Sequence, residues 1–110
     1  MESKWVYKLT RKASADLDDI VRYIALELSN PKAAANFIDK LFKYVDEICV
    51  FPEIGSPAIN DFIPDIDVRK GFIDNYTVYY LPNFTEKTIF ILRIVYSKRS
   101  MDEILQQLDL

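Results

Sequence analysis

Apolar positions recur first at the helical period and later at the strand period. Ala13, Leu17, Ile20, Val21, Ile24 and Leu28 fall within an arc of about 100° on a helical wheel. Asp16, Asp18, Asp19, Arg22 and Glu27 fall outside it. This predicts an amphipathic helix with a solvated acidic face, and Thr10 is placed to cap its start. Before it, Trp5-Val6-Tyr7-Lys8-Leu9 is short, aromatic and β-branched, and reads as a strand. Asn30-Pro31 predicts a second helix start: Asn accepts from free N–H groups, and Pro at the first helical position forfeits no hydrogen bond. Ala34, Phe37, Ile38, Leu41, Val45 and Ile48 form its apolar stripe, and Pro52 marks its end. So short a connection predicts an antiparallel helical hairpin.

From Phe51 to Asp67 three prolines, one glycine and several acidic residues predict an irregular connection. Beyond it the pattern predicts strands over Val68–Ile73, Tyr76–Leu81 and Thr88–Tyr96. Asp74-Asn75 supplies a two-residue turn, and Pro82–Lys87 the next reversal. Ser100–Leu108 reads as a short terminal helix. The order β-α-α-β-β-β-α predicts an α+β fold: an N-terminal strand, a helical hairpin, a three-stranded antiparallel meander and a short C-terminal helix. The absence of repeats, linkers and low-complexity tracts suggests one domain over residues 1–110.

The last predicted strand carries a further implication. Strict alternation puts Phe90, Leu92 and Ile94 on one face, and Ile89, Ile91 and Val95 with Arg93 on the other. Both faces are then mostly apolar, and the hairpin can cover only one. Either the terminal helix or a segment of a partner covers the second, because an antiparallel sheet with a solvated back normally shows polar residues there.

Composition narrows the chemistry. The chain has 110 residues, half of them apolar, with one cysteine and no histidine. No intrachain disulfide can form, and Cys49 reads as a buried helical thiol. Without His or a second Cys, no metal or other cofactor motif is apparent. No stretch reaches the roughly 18 uninterrupted apolar residues of a membrane span. The opening residues lack a signal-peptide pattern, so the expected location is the cytoplasm. The net charge is −3 but unevenly spread. Residues 68–100 hold six basic and two acidic groups, whereas residues 1–67 hold eight basic and twelve acidic ones. An acidic chain with one basic sector is not expected to bind DNA directly on its own.

Several segments, in order, carry a family resemblance. Ala13-Ser14-Ala15-Asp16-Leu17-Asp18-Asp19-Ile20 with Tyr23-Ile24 resembles the first helix of ParE-type toxins. Pro31-Lys32-Ala33-Ala34-Ala35 with Phe37-Ile38 is similar to the opening of their second. Phe51-Pro52-Glu53-Ile54-Gly55-Ser56-Pro57 looks like their F-P-x-x-G-x-P connection. Val68-Arg69-Lys70 with Tyr76-Thr77-Val78-Tyr79-Tyr80 is similar to their central hairpin. Ile91 to Tyr96 with Arg99-Ser100-Met101-Asp102 resembles their last strand and tail. The chain is thereby identified as a member of the RelE/ParE group of bacterial toxins, growth inhibitors associated with plasmid stabilisation.

The resemblance implies a cognate antitoxin whose C-terminal segment wraps the toxin. It also implies one of two targets, DNA gyrase for ParE-like members or ribosome-bound mRNA for RelE-like ones. Metal-free RNA cleavage needs an activated 2′-OH, a stabilised phosphate and a protonated leaving oxygen. By resemblance Lys70 and Arg99 match catalytic groups, and Tyr96 stands where many relatives carry His. Thr77 replaces the phosphate-cradling arginine, and Ile104 and Leu105 occupy the region of a further partner. With two groups missing and an acidic total, the balance favours a gyrase-directed toxin over a metal-independent endoribonuclease. A third reading is a decayed toxin that only binds its antitoxin. Candidate residues for partner or target binding are Arg69, Tyr79, Ile89, Ile91, Arg93, Val95 and Lys98. Each has a plainer reading as packing or solubilising charge.

Overall fold

The computed structural model describes residues 4–58, 66–99 and 101–108. Strand β1 (Val6–Leu9) ends at Thr10, whose hydroxyl accepts the Ala13 N–H at 3.1 Å and donates to the Leu92 carbonyl at 3.0 Å. One side chain thus caps helix α1 (Arg11–Arg22) and ties its start to the sheet. Helix α1 runs into a π-helical turn at Tyr23–Glu27, closed by a Leu28 N–H to Tyr23 carbonyl bond of 3.1 Å. Ser29 follows with φ 49°. Asn30 accepts the Ala33 N–H at 3.1 Å and starts helix α2 (Pro31–Val50), as the Asn-Pro pair predicts.

The π-turn corrects one expectation. A wheel at 100° per residue holds only while each turn takes 3.6 residues. Ile24 is buried, but Leu28, predicted on the same stripe, is exposed. The stripe of α2 holds at Ala34, Phe37, Leu41, Val45 and Ile48, all buried, while Ile38 is only partly buried.

The sheet has five strands in the order β1-β5-β4-β3-β2. Strand β2 is the pair Ser56–Pro57, β3 spans Arg69–Ile73, β4 Tyr76–Asn83 and β5 Thr88–Tyr96. The three predicted strands form the expected antiparallel meander, with Asp74-Asn75 as the two-residue turn. The sheet as a whole is mixed, because β1 pairs in parallel with β5. Sequence periodicity reports a strand's faces and not its neighbours, so this pairing could not be read from the pattern. Strand β2 lies in the connection read as irregular; its strand contacts amount to Ser56 with Lys70 and Pro57 with Arg69.

A β-bulge in β5 overturns the predicted face assignment. Tyr79 pairs with Arg93 but Tyr80 pairs with Ile91, so Leu92 is an extra residue. Alternation therefore slips by one. Ile89, Ile91 and Ile94 pack into the hairpin-facing core, together with Phe37, Leu41 and Tyr80. Leu92 and Val95 point to the opposite face, with Phe90 beside them. Ile89 and Ile91 are fully buried under the helices and are unavailable to a partner on the second face.

That second face is covered over Tyr79, Leu92 and Val95, while Phe72 at its β3 side stays exposed. Helix α3 (Met101–Gln106) lies on it, and Ile104 and Leu105 pack against Val68, Tyr79, Leu92 and Val95. Of the two covers left open by the sequence, the chain's own terminal helix is the one observed. Among the described residues no helix is long and apolar enough to cross a membrane.

Candidate functional site

Three cations of the basic sector, Lys70, Lys98 and Arg99, lie on the α3 side of the sheet or at the turn that leads into α3. Lys70, on β3, is held beside Tyr79 by strand register. Its ammonium reaches the Met101 sulfur at 3.5 Å and is half-buried. Lys98 and Arg99 follow β5 and are exposed, with the Arg99 N–H bound to the Tyr96 carbonyl at 3.0 Å. Tyr79 is buried in the same layer, and that burial raises its phenol pKa. Tyr79 is thus a packing residue under α3 and contributes no exposed surface there.

Tyr96 points the other way. Its ring meets Tyr76 edge-on at 6.0 Å, and Tyr76 in turn meets Phe37 of α2 at 5.1 Å. Lys70 and Tyr96 therefore occupy opposite faces of the sheet. Without the bulge Tyr96 would share a face with Leu92; the extra residue turns it to the hairpin side. Thr77, where the resembling enzymes carry arginine, is buried and hydrogen-bonded to the Ser97 hydroxyl at 2.9 Å.

Two of the candidate arginines are engaged in the fold. Arg93 donates to Asp16 through Nε at 2.7 Å and Nη2 at 3.1 Å. The same carboxylate accepts the Ile94 N–H at 2.9 Å. Strand β1 pairs with β5 only as far as Ile91, so beyond that point Asp16 of α1 takes over an otherwise unpaired strand edge. The bond from Asp16 is the main influence holding the Arg93 pKa above its usual value. The sequence leaned toward an exposed, partner-binding Arg93 and a solvated Asp16; burial and this pair correct both. The signal available in the sequence was a charged residue set in an otherwise apolar strand, which calls for an acidic partner when buried. Arg69 donates to the Gly55 carbonyl at 2.9 Å and the Glu53 carbonyl at 3.2 Å, and pairs with Asp67. It fastens the connection after α2.

Tyr80 fastens the same connection from inside. Its hydroxyl accepts the Gly55 N–H at 2.8 Å and donates to the Pro52 carbonyl at 3.0 Å. A Cβ on Gly55 would lie 2.6 Å from that oxygen, which accounts for the glycine. Gly71 has a like reason: the Tyr44 ring lies over its backbone. Among the described residues no group of three or more metal-ligating side chains could hold an ion.

Residues 7–101 match the ParE toxin of the type II toxin–antitoxin system ParDE. The chain belongs to the ParE toxin family. This ParE-family chain matches no curated relative at a significant level. Solved structures share its fold. A chain of the chromosomal ParDE system from P. aeruginosa superposes with a TM-score of 0.63 at 24% identity, covering 86% of this chain and 98% of that one. A chain of the RelBE2 toxin–antitoxin complex from Mycobacterium tuberculosis gives 0.60 at 17% identity, covering 86% and 99%. A chain of the archaeal RelE–RelB complex from Pyrococcus horikoshii OT3 gives 0.59 at 19% identity, covering 89% and 100%. The α+β architecture of this ParE-family toxin is thus the RelE/ParE one.

Proposed function

We propose that this toxin acts in the cytoplasm, is neutralised by a cognate antitoxin, and inhibits DNA gyrase by binding it rather than by cleaving RNA. The observation that carries the gyrase reading is the separation of Lys70 and Tyr96 onto opposite faces. A general base and a general acid must both reach one phosphodiester. A buried Thr77 in place of a phosphate-binding arginine supports the same conclusion. Lys98 and Arg99, exposed beside α3, form the cationic surface this reading assigns to target contact. Because α3 covers Tyr79, Leu92 and Val95 on the back of the sheet, neutralisation cannot rest on those residues being open, although Phe72 on the same face stays exposed. The antitoxin docks elsewhere or takes the place of α3.

The test is supercoiling by purified gyrase with the toxin in excess. Loss of supercoiling, restored by the antitoxin, is the expected result. Untouched supercoiling together with cuts in ribosome-bound mRNA, abolished by Lys70→Ala plus Arg99→Ala, would establish the endoribonuclease instead. Harmless expression without antitoxin would identify a decayed toxin.

A further inference from the structure

Three phenols converge at the end of the molecule where the helical hairpin meets the β3–β4 turn. Tyr23 of the π-turn, Tyr76 of β4 and Tyr96 of β5 line a recess of about 350 Å³. Phe37 and Ile24, both buried, lie beneath it, and Asp74 stands at its rim. The volume is at the lower end of the roughly 300–1,000 Å³ of small-ligand pockets, which suits one side chain better than a whole cofactor.

The rings are arranged for more than packing. Tyr76 is held edge-on between Phe37 and Tyr96, with interplanar angles of 66° and 73°. Tyr23 and Tyr96 are exposed, so aromatic surface faces the open recess. Burial, followed by the neighbouring Tyr23 and Tyr96, pushes the Tyr76 phenol up, so it stays neutral at physiological pH. Neutral phenol rings present negative faces, and their oxygens accept hydrogen bonds. The carboxylate in the lining is that of Asp74, half-exposed at the rim and bound to Lys40 at 2.9 Å. The π-turn supplies Tyr23 and Ile24 to the recess, and the β3–β4 turn supplies Asp74 and Asn75; π-turns inside helices are frequent at functional sites.

We propose that this recess is a cation-accepting aromatic pocket that receives an arginine side chain from a protein partner. Aromatic faces attract a cation, and a planar guanidinium also stacks on them while donating to phenol oxygens and a carboxylate. A lysine, a compact and strongly hydrated charge, loses the stacking. The inference stands whether or not gyrase is the target, since it concerns only what this pocket holds.

The test is an NMR titration of the intact toxin with N-acetyl-arginine-N-methylamide, its neutral citrulline counterpart and the norleucine counterpart. The expected result is that the arginine compound shifts the ring signals of Tyr23, Tyr76 and Tyr96, with at least about tenfold tighter binding than citrulline. Tyr23→Leu plus Tyr96→Leu, two exposed positions, is expected to abolish the difference. Equal binding of arginine and citrulline would overturn the proposal, as would tighter binding of norleucine or shifts confined to other parts of the molecule. The comparison of the three compounds on the unaltered protein decides the matter even if the double variant folds poorly.

Discussion

Asp16→Ala is expected to be the most damaging single carboxylate substitution in α1. Asp16 accepts three hydrogen bonds, two from Arg93 and one from the Ile94 backbone. Its side chain is 15% exposed and that of Arg93 11%. Truncation leaves a guanidinium without its counter-charge and a strand N–H without an acceptor. Breaking a buried pair from one side costs about 3–5 kcal/mol, most of it the penalty of the abandoned charge. For a domain whose whole stability is about 5–15 kcal/mol, that is a large share. Removing both charges in Asp16→Ala plus Arg93→Leu abolishes the abandoned charge and leaves only the Ile94 N–H, at about 1–3 kcal/mol. The double variant is therefore expected to be more stable than the single one. Urea denaturation of the four members of the cycle measures this, with an unchanged slope confirming that only stability has moved. A loss below about 1 kcal/mol for Asp16→Ala, or a double variant no better than the single, would refute the claim that this carboxylate supports the open edge of β5.

Other outcomes follow from the same structure. Burial, then Tyr80 and Glu47, push the Tyr44 phenol from 10.0 up to about 12. A phenol held neutral in the fold adds stability that is fully present below pH 10 and lost as pH rises through 12. Stability is expected to decline across that window, and Tyr44→Phe to make the decline shallower in alkaline denaturation curves. Leu105→Ser is expected to loosen α3 and bare the layer around Tyr79, Leu92 and Val95; a several-fold rise in binding of a hydrophobic dye reports it, and unchanged dye binding would mean that α3 is not the seal. Thr10→Ala removes both the α1 cap and the bond to Leu92, at an expected cost of about 1–2 kcal/mol in thermal or chemical melts. Gly71→Ala drives a methyl into the Tyr44 ring and is expected to cost about 1–3 kcal/mol, with Tyr44→Leu restoring part of it.

Local rules wrote most of the element plan into the chain. Thr10 and Asn30-Pro31 mark helix starts because each satisfies or dispenses with backbone donors next to its own position. The stripe of α2 and the Asp74-Asn75 turn are likewise matters of spacing between near neighbours, and the ordered family segments rest on the same local signals. What only the tertiary structure decided is which face each β5 residue occupies and what covers it. The bulge at Leu92 depends on how β5 meets β4, and one inserted residue exchanges the partners of everything after it. So Ile94 joined Ile89 and Ile91 in the helical core, Tyr96 left the side of Lys70, and Arg93 found Asp16 on a helix 77 positions away. Those outcomes come from contacts distant in sequence, where no spacing rule reaches. The parallel pairing of β1 with β5 and the docking of α3 on the back of the sheet belong with them, since both depend on where the finished layers leave an edge or an apolar surface to be filled.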